Sequence, residues 1–151
     1  MISRRAAASL LVILLPAVVW AGKAVPPSPS SYVYNEGVVS AAAEARLSQA
    51  LGAFERETGH QFVAALFRSL DGESLEDYSN RVFRAWKIGD AKRNDGLLFA
   101  LYKDDRRWRV EVGYGLEGTL TDLEAAEIAR DGVPYFKNGD YDRGVQAVVD
   151  G

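Results

Sequence analysis

The sequence predicts an α/β fold: a small three-layer sandwich around a mixed, partly parallel sheet, with elements in the order α-β-α-β-β-α-α. Three observations carry this. Two runs, Phe62 to Phe67 and Leu97 to Tyr102, are apolar at every position and of strand length, as in strands covered on both faces. A third run alternates strictly, with Trp108, Val110, Val112 and Tyr114 against Arg107, Arg109, Glu111 and Gly113, the period of a strand buried on one face. Between the two apolar runs lies a stretch of helical spacing, and such a connection makes its flanking strands parallel neighbours with a right-handed crossover.

The chain opens with Arg4 and Arg5, followed by an uncharged apolar run from Ala6 to Val19 and by Val19-Trp20-Ala21. This pattern reads as a secretory signal peptide over residues 1–21, with Ala24 as the second-choice cleavage position. The run falls short of the roughly 20 residues a spanning helix needs, and no cysteine follows it to carry a lipid. Without Arg4 and Arg5, the 18 Lys and Arg residues fall to 16 against 21 Asp and Glu, a net charge of −5. That balance argues against nucleic acid as a partner, which calls for a basic face. With no cysteine and a single histidine, His60, thiol catalysis, thiolate metal sites and His-rich transition-metal sites are excluded.

Residues 22–31 form a Pro/Ser linker, expected to be extended and mobile. Residues 32–39 read as a short extended piece able to add a strand to the sheet. Ser40 caps a helix over 41–58, with Ala43, Leu47, Ala50, Leu51 and Phe54 on one face and Gly59 as its C′ residue. Asp71-Gly72 marks a turn. Ser74-Leu75-Glu76-Asp77 is a looser capping box, opening a helix over 75–86 with Leu75, Tyr78, Val82 and Trp86 in register. Asn94-Asp95-Gly96 closes a polar connection ahead of the second apolar strand, and the turn Asp104-Asp105-Arg106 makes the last two strands an antiparallel hairpin. Thr121-Asp122-Leu123-Glu124 starts a helix over 122–131, interrupted by Gly132 and Pro134. Asn138-Gly139-Asp140 turns into a final amphipathic helix over 141–149.

The segment Val112-Gly113-Tyr114-Gly115-Leu116-Glu117-Gly118-Thr119-Leu120-Thr121-Asp122 runs from a strand through three close glycines into a helix start. Glycine there permits close approach of backbone to a neighbour or ligand. Because the hairpin is antiparallel, the start of its first strand and the end of its second lie together. Asn94, Asp95, Glu117 and Asp122 are therefore expected at one edge of the sheet. Oxygen donors without His or Cys suit a hard cation, Ca²⁺ ahead of Mg²⁺. The same residues also read as a turn residue (Asp95), a solvated loop residue (Glu117) and a helix-dipole partner (Asp122).

Other motifs carry less. Asn138 to Gly144 departs from a calcium loop in the place of its glycine and in having Val149 where the distal Glu belongs. Gly113-x-Gly115-x-x-Gly118 lacks the following strand of a dinucleotide unit. His60 reads as an edge residue with no nucleophile elbow to serve, and Arg107 and Arg109 as an exposed basic face. Trp86 and Trp108 fall on core faces.

Taken together, five ordered segments resemble the TPM domain family: 32–40, Leu75-Glu76-Asp77-Tyr78 through Trp86-Lys87-Ile88-Gly89, Asn94-Asp95-Gly96-Leu97-Leu98, Val112 through Asp122, and Pro134-x-Phe136-x-x-Gly139-Asp140-Tyr141-x-x-Gly144. The resemblance implies an exported or membrane-tethered α/β sandwich over residues 32–151, with Ca²⁺ or another divalent ion at the loop edge in some relatives and weak acid phosphatase activity in a plant member. This chain has Asn35 where relatives often carry Asp, and it ends at Gly151 where many continue into a membrane helix. The expectation is a periplasmic or extracellular monomer without a membrane span in its mature form. It would serve as a non-catalytic, divalent-cation-binding interaction or assembly module for an envelope protein complex. The alternative is a weak metal-dependent acid phosphatase.

Overall fold

A computed structural model describes residues 21–151; the signal peptide read over 1–21 lies, except for Ala21, outside them. The sheet has four strands in the order β1 (Val33–Asn35), β2 (Phe62–Phe67), β3 (Leu97–Tyr102), β4 (Arg107–Val112). The first three are parallel and β4 is antiparallel to β3, with Leu97 opposite Val112. The expected mixed sheet is therefore present, extended by the short N-terminal strand.

Alternation sends successive residues of β2 and β3 to opposite faces, and each face has its own core. On one side Ala64, Leu66, Phe99 and Leu101 pack with Leu47 and Leu51 of α1 (Ala41–Thr58) and with Val145 and Val148 near the C-terminus. On the other, Val63, Phe67, Leu98 and Tyr102 meet Tyr78, Val82 and Trp86 of α2 (Leu75–Trp86). The Phe67 ring stacks on Tyr102 at 5.3 Å and meets Tyr78 edge-on at 5.5 Å. Burying such a ring contributes about 3 kcal/mol. The Tyr102 hydroxyl shares a buried 2.9 Å hydrogen bond with Ser79, and burial pushes its phenol up to about 12.

Helix ends follow the sequence signals. Ser40, Ser74 and Thr121 accept N–H bonds as N-caps of α1, α2 and α3 (Asp122–Ala129), and Gly59 ends α1 at φ 76°. After α3 the structure adds what periodicity did not show. A 3₁₀ turn over Arg130–Gly132 leads into the five-residue α4 (Val133–Lys137), followed by α5 (Tyr141–Asp150). Pro134 stands in the first turn of α4, where its missing N–H has no intrahelical partner to lose. It begins a helix there instead of only interrupting one.

The Pro/Ser stretch is a second departure. Residues 23–26 lie against α2: Tyr78 donates to the Ala24 carbonyl at 3.1 Å and the Trp86 indole to the Pro26 carbonyl at 2.8 Å. Lys23 pairs with Asp71 at 2.9 Å and its ammonium sits 5.4 Å from the Phe67 ring centroid. The first half of the expected mobile linker is thus docked on the domain. Among the described residues no helix is long and apolar enough to cross a membrane.

Candidate functional site

The edge at the start of β3 and the end of β4 is built by backbone meeting backbone. Gly113 donates to the Gly96 carbonyl at 2.8 Å and Gly115 to the Asn94 carbonyl at 2.9 Å. A Cβ at Gly113 would overlap the Asn94 carbonyl, one at Gly115 the Arg93 carbonyl, and one at Gly89 the Gly96 amide. Gly89 also takes φ 91° and Asn94 φ 49°, the left-handed region that Gly and Asn tolerate best. Three of the motifs that carry the family resemblance therefore pack against one another without side chains between them.

Asp95 sits at the centre of this junction, 2% exposed. Its Oδ1 accepts the Asp90 N–H at 2.9 Å. Its Oδ2 accepts from Arg93 Nε at 2.6 Å and lies 3.0 Å from His60 Nδ1. Burial alone raises the Asp95 pKa. The Asp90 N–H, the Arg93 guanidinium and His60 outweigh it and hold the carboxyl far below the usual carboxylate range. Arg93 also donates to the Gly59 carbonyl at 3.0 Å. One carboxylate thus ties the end of α1, the loop before β3 and the strand itself.

The other sequence-derived candidates are placed differently. Asn94 is exposed and uses its carbonyl for Gly115. Glu117 ends the 3₁₀ turn Tyr114–Leu116 and is exposed. Asp122 is exposed in the first turn of α3, where a negative charge is favourable. The capping contacts themselves come from Thr121 and from Glu124, which accepts the Thr121 N–H at 2.8 Å. The hairpin brings the four residues to one end of the sheet, but their carboxylates do not converge. Among the described residues no three His, Cys, Asp or Glu side chains are grouped to hold a metal. Asp95, 2% exposed, already gives three of its acceptor sites to Asp90, Arg93 and His60, so a cation set that includes it would compete with these protein donors. Asn35 is similarly engaged. Its Oδ1 accepts the Val38 and Val39 amides, and its Nδ2 donates to Glu44 at 2.8 Å. An aspartate there would face Glu44 with like charge.

His60, which reads from the sequence as an edge residue, is instead a partner of Asp95. The parallel register pairs Phe62 with Leu97, and carried two residues back it sets His60 beside Asp95. The two strands are expected to be parallel neighbours, but a helical crossover leaves their register open, and no local signal sets it. Asp140 and Asp142, the calcium-loop-like pair, are a helix cap for the Arg143 amide and a partner for Ser40 at 2.6 Å. Arg109 pairs with Glu111 along β4.

Comparison with known proteins agrees with this architecture. The family model for the TPM domain matches residues 32–151. The solution structure of the N-terminal domain of a Porphyromonas protein (P. gingivalis) is 36% identical, with a TM-score of 0.72 over 79% of this chain and 77% of that one. The BA42 protein of the psychrophilic bacterium Bizionia argentinensis has a TM-score of 0.66 at 18% identity, over 76% of this chain and 79% of its own. The N-terminal domain of cg2496 from Corynebacterium glutamicum has a TM-score of 0.64 at 15% identity, over 86% and 83%. No curated protein matches. With the five motifs in order and three of them meeting at one backbone junction, the chain belongs to the TPM domain family.

Proposed function

We propose that this domain is a non-catalytic interaction module acting outside the cytoplasm, with a weak divalent-cation seat on the turn from Glu117 to Asp122. The observation that supports it most is the state of Asp95. The one deeply buried carboxylate of the edge is 2% exposed and held by Asp90, Arg93 and His60, so neither it nor His60 is poised against a substrate. That leaves the phosphatase alternative without a nucleophile or a general base at this edge. Glu117, Asp122 and Asn94 remain exposed without converging, so a Ca²⁺ there would take one carboxylate at a time, with turn carbonyls and water completing its oxygen shell. Few charges and much water in such a shell place its affinity near about 10⁻⁴–10⁻³ M, as in extracellular modules.

Calcium titration followed by amide NMR tests this reading. Signals of residues 116–122 should move saturably, and Glu117→Gln with Asp122→Asn should remove the response while the domain stays folded. No movement up to about 10 mM Ca²⁺ would leave these carboxylates as cap and turn residues only. The extracytoplasmic placement rests on Arg4, Arg5 and the apolar run that follows. Mass spectrometry of the protein from its native host should find an N-terminus at Gly22 or Val25, and an intact Met1 in the cytoplasmic fraction would contradict it.

A further inference from the structure

The opposite end of the sheet, where the parallel strands finish, carries a cleft of about 450 Å³. Its floor is aromatic: Phe136 stacks on Tyr141 with centroids 5.6 Å apart and on Phe99 at 6.5 Å, while Trp108 approaches Phe99 at 6.4 Å. Its rim is basic, formed by Lys103, Arg106 and Lys137. Local structure explains why they gather. Arg106 takes φ 53° in the β3–β4 turn, its amide bonded to the Lys103 carbonyl. Gly139, at φ 76°, reverses the chain so that α4 and α5 face one another. The Lys103 ammonium lies 4.9 Å from the Tyr141 ring centroid, a cation–π distance.

No carboxylate among the described residues lines the cleft beside these three cations. Among the described residues none of them forms an ion pair. The carboxylates around it face other groups: Asp104 faces Arg68, Asp105 takes the Leu70 amide, and Asp140 and Asp142, which line an adjoining hollow with Lys103, take the Arg143 amide and Ser40. Three positive groups around a stacked aromatic floor favour a ligand that is negative at one end and flat at the other. The volume is that of a small-molecule site, and the carboxyl ends of parallel strands are where open α/β sheets take ligands.

We propose that this cleft binds a small planar organic anion, an aromatic ring bearing a carboxylate or phosphoryl group, with the ring against Phe136, Tyr141 and Trp108 and the anion held by Lys103, Arg106 and Lys137. The site is independent of the cation seat at the other end of the sheet. Its chemistry needs no bond to be made or broken.

Titration with phenylphosphonate and, separately, with benzoate tests it, read by the Trp108 indole signal and the amides of 103–108 and 136–141. At least one of the two should shift these signals saturably, and the tighter one identifies the acid group. Inorganic phosphate and benzyl alcohol should each bind at least about tenfold more weakly, because each lacks one half of the recognition. Lys103→Gln with Lys137→Gln should weaken the preferred ligand by about tenfold or more with the thermal melt preserved. Four results would overturn the proposal. They are no saturable shift at about 10 mM of either probe, an equal response to inorganic phosphate, an equal response to benzyl alcohol, or undiminished binding by the folded double variant.

Discussion

Gly113→Ala should destabilise the domain by about 3 kcal/mol or more, a large part of the roughly 5–15 kcal/mol that holds a domain of this kind together. Backbone torsion is not the reason. Gly113 has φ −65°, which any residue adopts. The obstacle is the Asn94 carbonyl, which a Cβ would overlap, with the Gly96 amide only 3.0 Å away. Both are main-chain atoms pinned by the β3–β4 ladder, so neither can rotate aside as a side chain would. Gly115→Ala should behave alike through the Arg93 carbonyl. Gly118→Ala is the internal control: a Cβ there meets nothing within 4 Å, and its cost should stay within about 0.5 kcal/mol. Urea denaturation of the three variants separates these cases. Equal midpoints for Gly113→Ala and Gly118→Ala would mean that the two backbones do not touch in solution.

Asp95→Ala should cost about 1.5–3 kcal/mol, the range for losing hydrogen bonds to a buried charged group whose charged partner remains in water. It leaves the His60 ring and the Asp90 amide without their acceptor. Arg93→Gln should cost less, about 1 kcal/mol, because water replaces much of what the 60% exposed Arg93 side chain loses while the buried Asp95 carboxylate keeps the Asp90 amide and His60. The pH dependence has a definite sign. The folded-state pKa of Asp95 is depressed, so its contribution is fully present above the unfolded value of about 3.9 and fades as pH falls below it toward the folded value. Wild type should therefore lose stability in acid more steeply than Asp95→Asn. Melting curves at several pH values from neutral to below the carboxylate range check this. Parallel acid profiles for the two proteins would show that Asp95 is not ionised in the fold as described.

Much of the fold was legible because its signals are local. The two apolar runs, the alternating strand and the capping serines mark elements by short-range rules, and residues 41–58, 75–86 and 97–102 are recovered as elements with those bounds. The hairpin placed Asn94, Asp95 and the Gly113 turn at one end correctly because a two-strand antiparallel unit leaves no freedom. What failed to show was decided by distant partners. His60 and Asp95 meet only through the register of two parallel strands. Lys23 and Pro26 look like tether residues until the turn after β2 presents Asp71, and α2 presents Trp86, to them. Pro134 breaks a helical pattern when read along the chain, yet the turn before it had already ended the preceding helix. The glycines of 113–118 make room for backbone or ligand, and at Gly113 and Gly115 the space is filled by backbone.

The two borders of the sheet have a further consequence, for how copies of this chain behave when crowded. An unpaired strand border is a template on which another molecule can grow a sheet. Here one border is β1, three residues long, and the other is β4, whose Arg107 and Arg109 place charge along it. A stub and a charged rail are both poor templates. The alternation of β4, which first identified it as half-buried, thus also sets charge along the border where another strand would have to add.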